Sequence, residues 1–228
     1  MNNLMLDVDQ AGELKAALRR GDWTNSLIKS LCKGSVLEDV RLVVEGKAEI
    51  VIKSILTFVT KFEAPAIAGK KTADCFTDKS QYYFRDDNLD SWLPADQSDQ
   101  PESQFLVQEL TQPATFKQAV ESFLGVKGNI PTLTPTLIRK LKEGGHVTTL
   151  PLIESLIERQ EDISLETGGG GNFFFVEDKK EGVKEGVSVV RAVRYDRQWY
   201  VCLYRLDGGD QWDAGFRFFF RNLDTMSL

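Results

Sequence analysis

Chemistry begins with side chains that can hold a proton, a metal or a nucleophile, and here they are few. The chain carries one histidine, His146, and three cysteines, Cys32, Cys75 and Cys202. Zinc sites and hydrolytic triads usually draw on histidine, so a single one removes most such constellations. His146 follows Gly144 and Gly145, a setting that predicts a surface histidine in a turn between helices. A Cys–His nucleophile would need Cys75 or Cys202 beside it in space, and Cys202 within YVCLY reads as a buried strand residue. The cysteines are odd in number and widely spaced, which fits neither a disulfide framework nor a CxxC metal site and points to a reducing cytoplasm.

The clustered acids are Asp86, Asp87 and Asp90. They are the place where a carboxylate- and metal-dependent hydrolase would have to be built. The DxDxDG spacing of a calcium loop is missing, and a solvated acidic loop is the favoured reading. Gly168 to Gly171 invite a phosphate-loop reading, but they follow a helix, enter a strand and lack the lysine, so a flexible connector is favoured.

One constellation has recognition chemistry. Residues 187 to 221 hold nine aromatics and six arginines with no lysine, and arginine among aromatics suits stacking and bidentate capture of phosphate or carboxylate. Alternation along the last strand sends Phe216, Phe218 and Phe220 inward and Arg217, Phe219 and Arg221 outward. A sheet face shared by Arg194, Tyr200, Tyr204, Arg217, Phe219 and Arg221, able to bind single-stranded nucleic acid, is one reading; core packing with ordinary sheet surface is the favoured one. Against it stand four acids in the same segment and no RNP-like motif. Trp92 is a second candidate binding anchor, an aromatic in an acidic stretch whose alternative is to tuck that stretch onto the core.

Charge sharpens this. The formal net charge is −6, but seven acids fall in residues 86 to 116 with no Lys or Arg, leaving the rest of the 228 residues near +1. That balance disfavours a generic nucleic-acid or anionic-membrane binder. The N-terminus lacks a basic n-region and an apolar h-region, and no run approaches the ~20 apolar residues of a membrane span.

The elements that must position these residues follow from periodicity. Asp9 is the expected cap of a helix carrying Leu14, Ala17 and Leu18, with Gly21 as its left-handed stop. Thr24 starts a second through Leu27, Ile28 and Leu31, closed by Gly34, making a helical hairpin. Residues 40 to 62 are rich in Val, Ile and Thr and read as two strands around an EGK turn, with Ile50, Ile52, Leu56, Phe58 and Phe62 on one face. Residues 86 to 112 read as an acidic loop or linker. Phe116, Ala119, Val120, Phe123 and Leu124 then mark an amphipathic helix ended by Gly125. Thr134–Pro135 opens another before Gly144, and Leu152, Ile153, Leu156 and Ile157 a third. NFFFVE, VSVVRAVRY, WYVCLYRL and GFRFFFR form an antiparallel meander.

The run of a helix, ERQEDISLETGGGGNFFFVED and VRAVRYDRQWYVCLYRLDGGDQWDAGFRFFFRN resembles a set of uncharacterised proteins of Parcubacteria and related candidate-phylum bacteria. KTADCFTDKSQYYFRDDNLDSWL resembles their preceding strand and loop. The likeness spans about residues 60 to 223. It implies the organisation and carries over no functional residue.

The expected fold class is α+β, with an N-terminal helical hairpin and small β unit (1–85), the acidic stretch (86–112), then helices and the C-terminal antiparallel meander (113–228). Helices grouped ahead of strands argue against a doubly wound fold. The expected function is a cytoplasmic protein-interaction module, with no catalytic residue, metal ligand or cofactor assigned. The alternatives are nucleic-acid binding through the arginine–aromatic face and the Asp86, Asp87, Asp90 hydrolase.

Overall fold

The first two N-terminal helices are set by their caps. In the computed structural model, which describes residues 7–21, 23–48, 54–126, 133–160, 163, 165–179 and 186–222, Asp7 and not Asp9 caps α1 (Val8–Arg20). It forms a reciprocal capping box with Gln10, which satisfies two orphan N–H groups. Gly21 ends α1 at φ −90°, so the expected left-handed stop is not used. Thr24 caps α2 (Asn25–Leu31) through the N–H of Leu27.

The segment expected as a first strand is instead α3 (Val36–Val44). Glu38 and Asp39 in its first turn and the Arg41–Glu45 pair one turn apart favour a helix against the β-propensity of VRLVV. The chain divides into two compact units at 53/54, not at 85/86. The first is this run of three helices, and none of them holds a buried residue.

The second unit is built on one seven-stranded sheet. Its strands are β1 (Leu56–Ala64), β2 (Tyr82–Arg85), β3 (Ser103–Leu110), β4 (Gly171–Glu177), β5 (Val187–Tyr195), β6 (Gln198–Arg205) and β7 (Arg217–Asn222). The spatial order is β1-β3-β7-β4-β5-β6-β2. β4, β5 and β6 form the expected antiparallel meander, but β7 does not extend it. It returns to the centre, parallel to β4 and antiparallel to β3, while the short β2 closes the far edge parallel to β6. Mixed α and β with a mostly antiparallel sheet is therefore correct, and the simple closing meander is not.

The stretch expected as a loop or linker carries α4 (Asn88–Trp92) and the whole of β3. Leu89 and Leu93 are core residues, and backbone bridges at Ile67–Gln100 and Lys71–Asp96 pin the stretch down. β1 holds a further correction. Its register slips between Phe58 and Thr60, so a bulge at Val59 moves the side chains across the sheet. Leu56 packs on one face and Phe62 on the other, and Phe58 is exposed. Ile50 and Ile52 lie outside the described residues.

Helices cover both faces. α5 (Phe116–Leu124) and α6 (Leu133–Glu143) bury Phe116, Ala119, Val120, Leu137 and Leu141 against Phe173, Phe175, Phe218 and Phe220. α5 follows its local signals: a Thr115–Gln118 capping box starts it and Gly125 at φ 63° ends it. α4 and α7 (Leu150–Glu158) cover the opposite face, where Leu89, Leu152, Ile153 and Leu156 meet Phe105, Phe174, Trp199 and Phe219. Among the described residues no helix is long and apolar enough to cross a membrane.

Candidate functional site

The cross-strand register decides whether the arginine–aromatic face exists. Arg217, Phe219 and Arg221 sit opposite Glu109, Val107 and Phe105, on the face covered by α4 and α7. Tyr200 and Tyr204 sit opposite Val193 and Val189, on the other face, and Arg194 opposite Trp199 returns to the first. The six residues thus straddle the sheet, because directly opposed residues share a face and neighbours in sequence do not.

Burial completes the correction. Phe219 is fully buried and stacks on Phe174 with ring centroids 4.6 Å apart. Arg217 donates through Nε to Glu109 at 3.1 Å, and Arg194 to Gln160 at 2.8 Å. Tyr204 is half-buried between Phe116 and Trp212, at 5.9 and 5.1 Å. Trp92 packs against the core beneath the Arg205 guanidinium, 4.6 Å from its ring centroid; it anchors its segment.

What the sheet does expose is a different ring cluster. Tyr200 lies 4.9 Å from Tyr83, 5.2 Å from Tyr195 and 6.3 Å from Phe84, and Tyr83, Phe84 and Tyr195 are all exposed. Tyr200 alone was a sequence candidate. β2 pairs with β6 across more than a hundred residues of chain, so neighbouring spacing carried no sign of the cluster.

The clustered acids do structural work apart from one another. Asp86 accepts the N–H of Asn88 at 2.9 Å and of Leu203 at 3.1 Å, while its own N–H donates to Val201. Both oxygens of Asp90 accept from Arg85 at 2.8 Å, and this guanidinium holds the Asp90 carboxyl below its ordinary value. Asp87 makes no side-chain cap bond. Among the described residues no three His, Cys, Asp or Glu side chains gather as a metal site.

Burial pushes the Cys75 thiol up to about 12, and that of Cys202 upward. Cys75 is fully buried and Cys32 exposed. A thiol with that pKa is thiolate at about one part in ten thousand at pH 8. Ellman's reagent is expected to label Cys32 rapidly in the native protein and Cys75 only after denaturation. Rapid native labelling of all three thiols would contradict this packing.

His146 is not a free surface histidine. It is half-buried with its ring edge-on to Phe123 at 4.9 Å, and its Nδ1 donates to the Arg221 carbonyl at 2.6 Å, which fixes the proton on Nδ1 in the neutral ring. Beside it opens a cavity of about 420 Å³ between the α6–α7 turn and residues 94–100, with Arg221, Thr148, Thr149, Gln100 and Asp96 among its walls. Arg221 is 7% exposed and gives one N–H to the Val147 carbonyl at 3.2 Å. Its Nε, both threonine hydroxyls and the Gln100 Oε1 are buried without hydrogen-bond partners. Lys142 also lines the cavity and is ion-paired to Glu177.

No protein-family model, curated protein or solved structure matches the chain.

Proposed function

We infer that the protein is a binding module without catalytic chemistry of its own, and that it docks a protein partner through the apolar stripes of α1, α2 and α3. One observation carries this reading. Three short helices of 13, 7 and 9 residues, the first two capped by side chains, hold no buried residue, and Leu14, Leu27, Leu37 and Val40 are 43–51% exposed. Helices of that length are marginal in water without a packed face. Full burial of a leucine or valine is worth roughly 1.5–3 kcal/mol, about half of which remains to be gained at these half-exposed positions, and a partner groove that accepts helix anchors would supply it. The free cysteines accord with a reducing compartment, and we place the protein in the cytoplasm. The likeness of its C-terminal half to uncharacterised Parcubacteria proteins adds no activity to this reading.

The test uses the full chain with a photo-crosslinking residue at Leu27. A specific protein adduct is expected in the native lysate, and Leu14→Glu with Val40→Glu is expected to abolish it. These exposed sites should change stability by no more than about 0.5 kcal/mol, so the loss is a loss of docking. An adduct of unchanged yield in the double variant would sink the reading.

A further inference from the structure

We propose that the cavity beside the α6–α7 turn binds a phosphate group, with Arg221 as the charged donor and the hydroxyls of Thr148 and Thr149 as the neutral ones. The inference is independent of docking by the N-terminal helices.

Arg221 differs from four other arginines of this unit. Arg85, Arg194, Arg205 and Arg217 each donate to the side chain of an acid or amide. Arg221 is more than nine-tenths buried, and among the described residues its side chain donates to one backbone carbonyl alone. Burial alone lowers its pKa, with no acid counteracting. A buried charge left without a counter-charge is strongly unfavourable, and an anion in the adjoining cavity removes that penalty. The cavity's ~420 Å³ falls in the range of small-molecule sites.

The donor count selects the anion. A phosphate monoester presents three peripheral oxygens, and a guanidinium with two neighbouring hydroxyls offers a donor group for each. A carboxylate has two oxygens and would leave one of these groups idle. Lys142 is not counted, because it is tied to Glu177. Asp96 and the unpartnered Gln100 Oε1 on the same walls are acceptors and repel a second anionic group. They favour hydroxyl or N–H groups on the rest of the ligand. The ligand class is therefore a phosphate monoester of a small hydroxylated molecule.

The probes are inorganic phosphate, glycerol phosphate and acetate, each added to the full chain at ionic strength held constant with sodium chloride. Inorganic phosphate at about tenfold over its dissociation constant is expected to raise Tm by about 3 °C and to shift the Arg221 Nε–Hε resonance. Glycerol phosphate should bind more tightly. Arg221→Gln should lose the Tm response and Arg205→Gln should keep it. If Arg221→Gln fails to fold, the wild-type Arg221 resonance decides alone. An unmoved resonance at about 20 mM phosphate, well above a millimolar dissociation constant, overturns the proposal. So does an equal response to chloride, or acetate binding as tightly as phosphate. Glycerol phosphate no tighter than phosphate overturns the ester assignment.

Discussion

Phe219→Ala is expected to destabilise the protein by about 3–5 kcal/mol, the cost of deleting a buried phenyl ring and leaving its cavity. Phe219 is fully buried, stacks on Phe174, and meets Phe62 edge-on at 6.3 Å. Three strands converge on this ring, since β7 lies between β3 and β4. No single element can relax to fill the space. An exposed stacking residue would behave otherwise, with little loss of stability and a loss of ligand. Phe84→Ala supplies that comparison. Its ring is 44% exposed, and its removal should cost about 1 kcal/mol or less. Urea unfolding of both variants separates the two cases, and a Phe219→Ala midpoint close to wild type would show that the ring is not core.

What was legible in the sequence follows the range of the forces involved. α5 was read correctly because its cues are local: the spacing from Phe116 to Leu124, and Gly125, which ends it in the left-handed region. Alternation along β7 was also correct in parity. Parity cannot say whether the second face is wet, and here α4 and α7 return from distant chain to cover it. That one nonlocal fact converts Arg217, Phe219 and Arg221 from a surface into paired, core and cavity residues. β3 was missed although Phe105, Leu106 and Val107 form an apolar run at its centre, because the acids around it drew the whole stretch into a loop. α3 was missed for the opposite reason. Its valines suggested a strand, while the first-turn acids and the Arg41–Glu45 pair, both visible in the sequence, favoured a helix.

The cavity lay further out of reach. Thr148 and Thr149 sit in an unremarkable VTTL segment, and Arg221 reads as the exposed end of a strand. They meet because β7 occupies the centre of the sheet and the α6–α7 turn is tied to it by His146 and to β4 by the Thr148 N–H on the Phe175 carbonyl. The histidine expected at the surface is thus a strut for the strand end that carries Arg221.

The acids of residues 86 to 90 give a prediction in which structure and composition disagree sharply. A shared metal site would make Asp86, Asp87 and Asp90 equivalent, each substitution abolishing metal binding with modest effects on stability. The hydrogen bonds instead rank them. Asp86 continues the parallel β2–β6 ladder past the end of β2, its N–H bonding to Val201 and its Oδ2 to the N–H of Leu203, while Oδ1 holds the start of α4. Asp86→Ala removes two charge-assisted bonds and should cost about 2–3 kcal/mol. Asp90→Ala frees the nearly buried Arg85, whose remaining bonds to Cys75 and Thr72 carbonyls survive, and should cost about 1 kcal/mol. Asp87→Ala should stay within about 0.5 kcal/mol. Chemical unfolding gives the ranking, and calorimetric titration with magnesium, manganese and calcium gives the binding. Equal stability losses together with a metal-dependent heat that any one substitution removes would restore the hydrolase; a graded series without heat leaves Asp86 as the joint between strand, helix and sheet edge.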